Sequence, residues 1–140
     1  FAFPRAHLKG APFNFSFSGL KTAVLYQLAK LGDPQAHLAD LCASFQDAVI
    51  DTLVKKTLKA ARQTGHTLIT LSGGVACNRT LQEALTLAAQ NAGIKVQPTP
   101  PALTTDNAGM IALAALLASE NRPSDSLEIG IDPNLVLATP

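Results

Sequence analysis

The sequence has no tryptophan, one methionine, two cysteines and almost no excess charge. Two cysteines are too few for a disulfide framework, so Cys42 and Cys77 are expected to be buried small residues in a reducing compartment, and we expect a cytoplasmic protein. No segment approaches the roughly 20 apolar residues that span a bilayer, and the first residues lack a signal-peptide pattern. A net charge of +1 excludes a broad basic surface for nucleic acid, but not a local patch or a partner subunit that binds RNA.

The length of 140 residues is enough for one domain with its own hydrophobic core. The only methionine is Met110, and the chain begins with the residues Phe1-Ala2-Phe3-Pro4. We therefore interpret the sequence as the C-terminal part of a longer protein.

Two helices are predicted in the first half of the chain. The first covers Gly19 to Leu31. The second starts at Asp33-Pro34, with Asp as the cap and Pro at the first position. Its apolar residues recur every three or four positions to about Gln63, and Gly65 ends it.

The second half has a strand–helix–strand–helix order, which indicates a parallel sheet covered by helices. The last helix is apolar nearly all round and is expected to be buried. The predicted strands are Thr67–Leu71 and Ile94–Gln97, the predicted helices are Asn78–Asn91 and Asp106–Ser119, and short pairings are expected at Ile129–Ile131 and Leu135–Leu137. This gives an irregular lead-in (1–12), a helical portion (13–64), a βαβα core (65–122) and a tail (123–140).

The pair Gly73-Gly74 directly follows the first predicted strand. Glycines there let the backbone approach a ligand closely, and the helix beyond offers free N–H groups to an anion. The alternative is a tight strand-to-helix turn without a ligand. Gly-Gly alone is weak evidence for a site.

Two polar residues each precede an Ala/Leu-rich helix. The carboxamide of Asn78 can hydrogen-bond a ribose, a base or a carboxylate, and the carboxylate of Asp106 can bind a metal. Both residues are also favoured helix caps, and spacing alone favours that role for Asn78. No nearby His or Glu completes a metal site at Asp106.

Two further segments have competing interpretations. The segment Phe13–Thr22 has three Phe at period two, which predicts a short strand or extended lead-in; it can line a pocket, but such Phe are more often core. The ladder Asp47, Asp51, Lys55 and Lys59, with Lys56 beside it, is interpreted as a solvated helix face rather than an RNA contact.

Four blocks, in order, resemble the TsaD family (also called Gcp or YgjD) over nearly the whole chain. The blocks are F-S-F-S-G-L-K-T at Phe15–Thr22, S-F-Q-D-A-V-I-D-T-L at Ser44–Leu53, S-G-G-V-A-C-N-R-T-L at Ser72–Leu81 and T-D-N-A-G-M-I-A at Thr105–Ala112. The resemblance implies an α/β fold, namely one lobe of the two-lobed actin/sugar-kinase/Hsp70-like (ASKHA) fold. This lobe has a mixed sheet covered by helices and is incomplete relative to the full enzyme.

The resemblance also implies an activity. The family transfers a threonylcarbamoyl group from threonylcarbamoyl-AMP to N6 of adenosine 37 in tRNAs that read ANN codons (t6A synthesis). In bacteria it works with TsaB-like and TsaE-like proteins, and a TsaC-like enzyme makes the adenylate. The chain is expected to supply one wall of the nucleotide and metal cleft, and to be inactive alone.

The site residues implied by the resemblance are those of the third and fourth blocks. Asn78, Gly73 and Gly74 are expected to bind the nucleotide, which is ATP or threonylcarbamoyl-AMP. Asp106 is expected to bind one divalent metal, iron or zinc, with other ligands from outside the chain. Cys77 stands where Ser or Ala is commoner in the family, which is a small departure.

Two other functions fit the same sequence. One is an ASKHA-fold carbamoyltransferase or kinase that acts on a small molecule, although the Phe15–Thr22 block argues against a kinase. The other is a non-catalytic TsaB-like partner domain. The presence of both Asn78 and Asp106 argues against that second alternative.

Overall fold

The computed structural model describes residues 1–5, 10–119, 130 and 134 of the chain. The chain forms two compact units, residues 1–105 and residues 106–140. The first unit contains helices α1 (Ser18–Lys30), α2 (Leu38–Thr64) and α3 (Arg79–Gln90) and strands β1 (Leu68–Leu71) and β2 (Lys95–Pro98). Helix α4 (Ala108–Ser119) lies in the second unit. The pairings expected at Ile129–Ile131 and Leu135–Leu137 lie outside the described residues.

The predicted helices α1 and α2 are confirmed. The carboxylate of Asp33 accepts a hydrogen bond from the backbone N–H of Gln35 at 2.9 Å, so the predicted cap begins a 3-10 turn that leads into α2. At the other end, Gly65 has φ of 72°, a left-handed conformation that glycine adopts without a steric penalty.

The parallel pairing of β1 and β2 is confirmed. Ile69 is the register partner of Val96, and α3 connects the two strands. The mixed α/β class is therefore correct, and the strands lie within one residue of their predicted positions.

The first unit has two hydrophobic clusters. In the larger one, α2 and α3 pack against the two strands, and Leu85 of α3 is only 2% exposed. The smaller cluster joins the start of the chain to α1 and α2 through Phe3, Leu20, Leu41 and Ala48. Together the clusters fix α1, α2 and the start of α3 relative to one another.

Three expectations about burial were wrong. Helix α4 has no buried residue. An apolar helix is buried only where other residues pack against it, and the described residues of its own unit do not cover α4. Cys42 and Cys77 are both exposed. Phe13 and Phe15 are 40% and 46% exposed rather than core residues, whereas Phe17 packs against the smaller cluster, and their segment is a lead-in to α1 rather than a strand.

Among the helices that the structure describes, none is long and apolar enough to cross a membrane.

Candidate functional site

An apolar cavity of about 620 Å³ lies in the first unit, beside the start of α1, the first half of α2 and the turn before α3. Its size is typical of small-molecule sites, which measure roughly 300–1,000 Å³. The lining side chains are Phe17, Leu20, Lys21, Cys42, Phe45, Gln46, Val49, Ile50, Leu53, Val75, Asn78 and Leu81.

The wall of this cavity is built from three of the four sequence blocks. Phe17 and Lys21 belong to the block Phe15–Thr22, and Gln46 belongs to the block Ser44–Leu53. Asn78 comes from the glycine-containing block. The fold thus brings together Phe17 and Asn78, which lie 61 positions apart in the sequence.

Asn78 is the cap of α3, as spacing alone predicted. Its Oδ1 accepts a hydrogen bond from the backbone N–H of Leu81 at 3.0 Å. Its Nδ2 donates to Oε1 of Gln46, also at 3.0 Å. The side chain is half-buried in the cavity wall, so the cap and a ligand contact are compatible in one residue.

The two glycines form the turn after β1. Gly73 has φ of 88° and ψ of 165°, a backbone conformation that is essentially restricted to glycine. Its N–H donates to the carbonyl of Thr104 at 2.7 Å, and its carbonyl accepts from Ala76. A 3-10 turn, Gly74–Cys77, separates this point from α3, which begins within one residue of its predicted start at Asn78.

Space beside both glycines is open. A Cβ atom built on Gly73 or Gly74 would meet no atom within 4 Å. Neither glycine lines the cavity itself, although the neighbouring Val75 does. The glycine turn therefore presents accessible backbone next to the cavity, which is the arrangement expected of a ligand-contacting turn.

Asp106 is exposed and is not the cap of α4. Oδ1 of Asn107 accepts the backbone N–H of Met110 at 3.0 Å, so Asn107 caps that helix. The alternative interpretation of Asp106 as a helix cap is therefore wrong. Within the described part of the chain, no group of three or more His, Cys, Asp and Glu residues comes together to hold a metal ion.

Several charged side chains of α2 and α3 are paired in ion pairs. Arg79, at the start of α3, is paired with Glu83 at 2.8 Å, and both are exposed. On α2, Asp51 pairs with Lys55 at 2.8 Å and with Arg5 at 3.0 Å. Burial raises the pKa of Asp51, but the hydrogen bonds from Lys55 and Arg5 outweigh it and hold that pKa below its ordinary value.

Lys56 departs from the interpretation of α2 as a solvated charged face. It is buried, its Nζ donates to the backbone carbonyl of Asn14, and it lies 5.9 Å from the centre of the Phe15 ring. The sequence also did not predict that Gln46 lines the cavity, because a glutamine on an amphipathic helix does not by itself indicate a site. Its position in the block Ser44–Leu53 was the available hint.

Comparisons with known proteins agree with these blocks. The sequence model of the family described as "tRNA N6-adenosine threonylcarbamoyltransferase" (TsaD) matches residues 1–113. A protein of that name from Verminephrobacter eiseniae is 50% identical over 118 residues, which are 84% of this chain and 34% of that protein. One from Anaeromyxobacter dehalogenans (strain 2CP-1) is 48% identical over 128 residues, 88% of this chain and 38% of that protein.

Another relative of the same name, from Desulfitobacterium hafniense, is 42% identical over 140 residues, which are 99% of this chain and 41% of that protein. The chain thus spans between 34% and 41% of the length of these curated relatives. The family match covers the whole of the first unit, including all residues that line the cavity. The chain belongs to the tRNA N6-adenosine threonylcarbamoyltransferase (TsaD) family.

Proposed function

We propose that the intact protein transfers a threonylcarbamoyl group from threonylcarbamoyl-AMP to N6 of adenosine 37 in ANN-decoding tRNAs, and that this chain supplies one wall of its nucleotide and metal cleft. Membership of the family supports the reaction. The observation that supports the site is the cavity, because three of the four family blocks meet around it.

The chemistry of the cavity suits the adenylate part of such a substrate. Phe17, Phe45 and Val49 offer apolar contact to a flat ring, while Lys21 and Asn78 add polar groups. We assign nucleotide binding to Asn78 and to the open backbone at Gly73 and Gly74. A few polar groups in an apolar wall are what small-molecule sites use to fix orientation.

The reaction forms a bond between N6 of the adenosine and the carbamoyl carbon, and it breaks the bond between that carbon and the phosphate oxygen of AMP. N6 loses a proton, and AMP is the leaving group. The wall described here contributes by holding the adenylate in a fixed orientation, which lowers the entropic part of the barrier. We assign no nucleophilic residue.

The described residues do not by themselves fit a metal site, since they bring no set of three ligands together. Asp106 offers one exposed carboxylate with no capping role. We propose that it is one ligand of a divalent metal, iron or zinc, whose other ligands come from the rest of the intact protein. Such an ion would stabilise negative charge on the substrate.

The proposed substrates define the proposed partners. The protein would bind tRNA, act with TsaB-like and TsaE-like proteins, and receive its adenylate from a TsaC-like enzyme. Because the chain has a net charge of only +1, we expect tRNA to contact a local patch or a partner subunit.

The test is nucleoside mass spectrometry of tRNA from cells whose only copy of the full-length gene carries Asn78→Ala or Asp106→Ala. We expect threonylcarbamoyladenosine to collapse while the protein remains abundant. The matched control is Asp40→Ala, since Asp40 is exposed on α2 and does not line the cavity. Normal modification with both site variants would show that the proposed function of these residues is wrong.

A further inference from the structure

Gln46 touches Asn78 in the cavity wall, and this contact determines how both carboxamides are oriented. A backbone N–H can only donate, so the bond from Leu81 identifies the capping atom of Asn78 as its oxygen. The amide nitrogen of Asn78 must then face Gln46, whose Oε1 accepts it at 3.0 Å. The orientation of Gln46 is therefore set, through Asn78, by the backbone at the start of α3.

This orientation leaves the Nε2 group of Gln46, with its two N–H donors, without a partner among the described residues. The other strongly polar side chains of the wall are Lys21 and Asn78. Lysine only donates, and the oxygen of Asn78 already accepts from Leu81. The amide oxygens of Asn78 and Gln46 each already accept one hydrogen bond and keep a second lone pair. The amide group of the wall that has no hydrogen bond among the described residues is thus the Nε2 donor of Gln46, set among apolar side chains.

A cavity of this kind selects a ligand with an apolar or flat body and hydrogen-bond acceptors. A donor such as Nε2 of Gln46 would stay unpaired against a ligand that offers only N–H groups, and a donor that a ligand covers without pairing it is costly. An adenylate meets the requirement through the ring nitrogens of its base, its phosphate oxygens or the carbonyl of its acyl group.

We propose that Gln46 is a ligand-binding residue that donates from Nε2 to an acceptor of the adenylate, held in that orientation by Asn78. This inference rests on the proposed function, because it takes the adenylate as the occupant of the cavity. It adds a residue from the second block, on α2, to the nucleotide-binding residues of the third.

The test compares Gln46→Glu and Gln46→Met in the full-length enzyme with its partner proteins. Glutamate keeps the length of the side chain and the acceptor for Asn78, but it has no donor when ionised. Methionine has neither the amide acceptor for Asn78 nor the amide donor. For Gln46→Glu we expect the KM for threonylcarbamoyl-AMP to rise about tenfold or more, as for one lost hydrogen bond in an apolar site. The KM for tRNA and the thermal midpoint should stay close to those of the unaltered enzyme.

Binding of AMP and of ribose 5-phosphate, measured by calorimetry, locates the acceptor. Weaker binding of AMP alone places the acceptor in the base, and weaker binding of both places it in the ribose or the phosphate. If both bind as before while the KM for the acyl-adenylate rises, the acceptor is in the acyl group. Each of these results supports a donating Gln46.

Two results would overturn the inference and leave the proposed function intact. One is an unchanged adenylate KM in Gln46→Glu when Asn78→Ala raises it. The other is a parallel rise in the KM for both substrates with a lower thermal midpoint, which a purely structural residue produces. The proposed function itself fails if the unaltered enzyme transfers no threonylcarbamoyl group, or if Asn78→Ala leaves the adenylate KM unchanged.

Discussion

The ammonium group of Lys56 donates to the backbone carbonyl of Asn14, although the lysine is only 7% exposed. The same group lies 5.9 Å from the centre of the Phe15 ring. A buried ammonium is stable only where it finds hydrogen-bond partners or opposite charge. The contact fastens the irregular segment before α1 to the middle of α2, next to Phe17, which lines the cavity.

Replacing Lys56 by Met is expected to lower the free energy of unfolding by about 1.5–3 kcal/mol, the contribution of a hydrogen bond to a charged group. Methionine keeps most of the apolar stem of lysine, so the decrease in the free energy of unfolding comes from the lost ammonium contact rather than from a new cavity. Urea unfolding of the protein measures it. Lys59→Met is the control, because Lys59 is exposed and its replacement should stay within about 0.5 kcal/mol of the unaltered protein. Equal effects of the two would show that the contact does not stabilise the fold.

The Asp51 carboxylate should give a pH-dependent contribution to stability. Its folded-state pKa lies below the ordinary value of 3.8, because the hydrogen bonds from Lys55 and Arg5 outweigh the effect of burial. A lowered folded-state pKa stabilises the fold fully above the unfolded value, and the contribution is lost as the pH falls through the folded-state pKa. Asp51→Asn should therefore lower the free energy of unfolding at pH 7, by less than about 1 kcal/mol because the pairs are partly exposed.

The measurement is urea unfolding of both proteins between pH 7 and pH 2. The difference between them should persist down to about pH 5 and should then shrink toward zero in more acidic solution. A constant difference at every pH would mean that the substitution acts through packing rather than through the charge. Glu83→Gln is a useful comparison, since that carboxylate belongs to a far more exposed pair on α3.

Asn78 should show two separable roles. Asn78→Ala removes the capping oxygen and is expected to cost about 1 kcal/mol of stability. Asn78→Asp keeps a capping oxygen, and its negative charge is favourable at a helix start, so it should fold as stably as the unaltered protein. It lacks the amide donor, however, so the affinity of the full-length enzyme for AMP should fall. Calorimetric binding and thermal unfolding distinguish the two effects, and normal AMP affinity in Asn78→Asp would leave Asn78 a cap only.

Much of the fold follows from local chemistry that the sequence displays. The caps at Asp33 and Asn78 and the left-handed Gly65 act within one turn of their own position, so their residue types predict helix ends well. The strands around Ile69 and Val96 are short β-branched runs on either side of a helix, and their parallel pairing follows from that order.

The cavity is less predictable, because its wall depends on contacts between distant segments. The pairing of Gln46 with Asn78 joins residues 32 positions apart, and Lys56 reaches 42 positions back to Asn14. Neither glutamine nor lysine on an amphipathic helix indicates such a partner. Helix α4 was predicted to be buried and is exposed, because an apolar sequence does not specify which residues cover it.

The two glycines of the turn after β1 should respond differently to alanine. Gly73 has a backbone conformation that alanine rarely adopts, so Gly73→Ala should cost about 1–3 kcal/mol although no atom blocks the new Cβ. Gly74 has no positive φ and equally open space, so Gly74→Ala should leave stability unchanged or slightly higher. If a ligand approaches this turn, Gly74→Ala will fold normally and yet bind AMP more weakly. Calorimetry and urea unfolding of both variants test this, and normal binding by Gly74→Ala would argue against a ligand at that glycine.

Substitutions of Asp106 and of its neighbour Asn107 should have different effects, because we assign metal binding to Asp106 and helix capping to Asn107. Asn107 accepts the N–H of Met110, so Asn107→Ala is expected to cost about 1 kcal/mol, and Asn107→Ser should restore most of it by supplying another capping oxygen. Asp106 has no such bond, so Asp106→Ala should change the free energy of unfolding by less than about 0.5 kcal/mol. Metal content of the purified full-length protein, measured by mass spectrometry, should fall in Asp106→Ala and not in Asn107→Ser. If Asp106→Ala instead destabilises the protein as much as Asn107→Ala and retains its metal, Asp106 is a structural residue and the proposed metal ligand lies elsewhere.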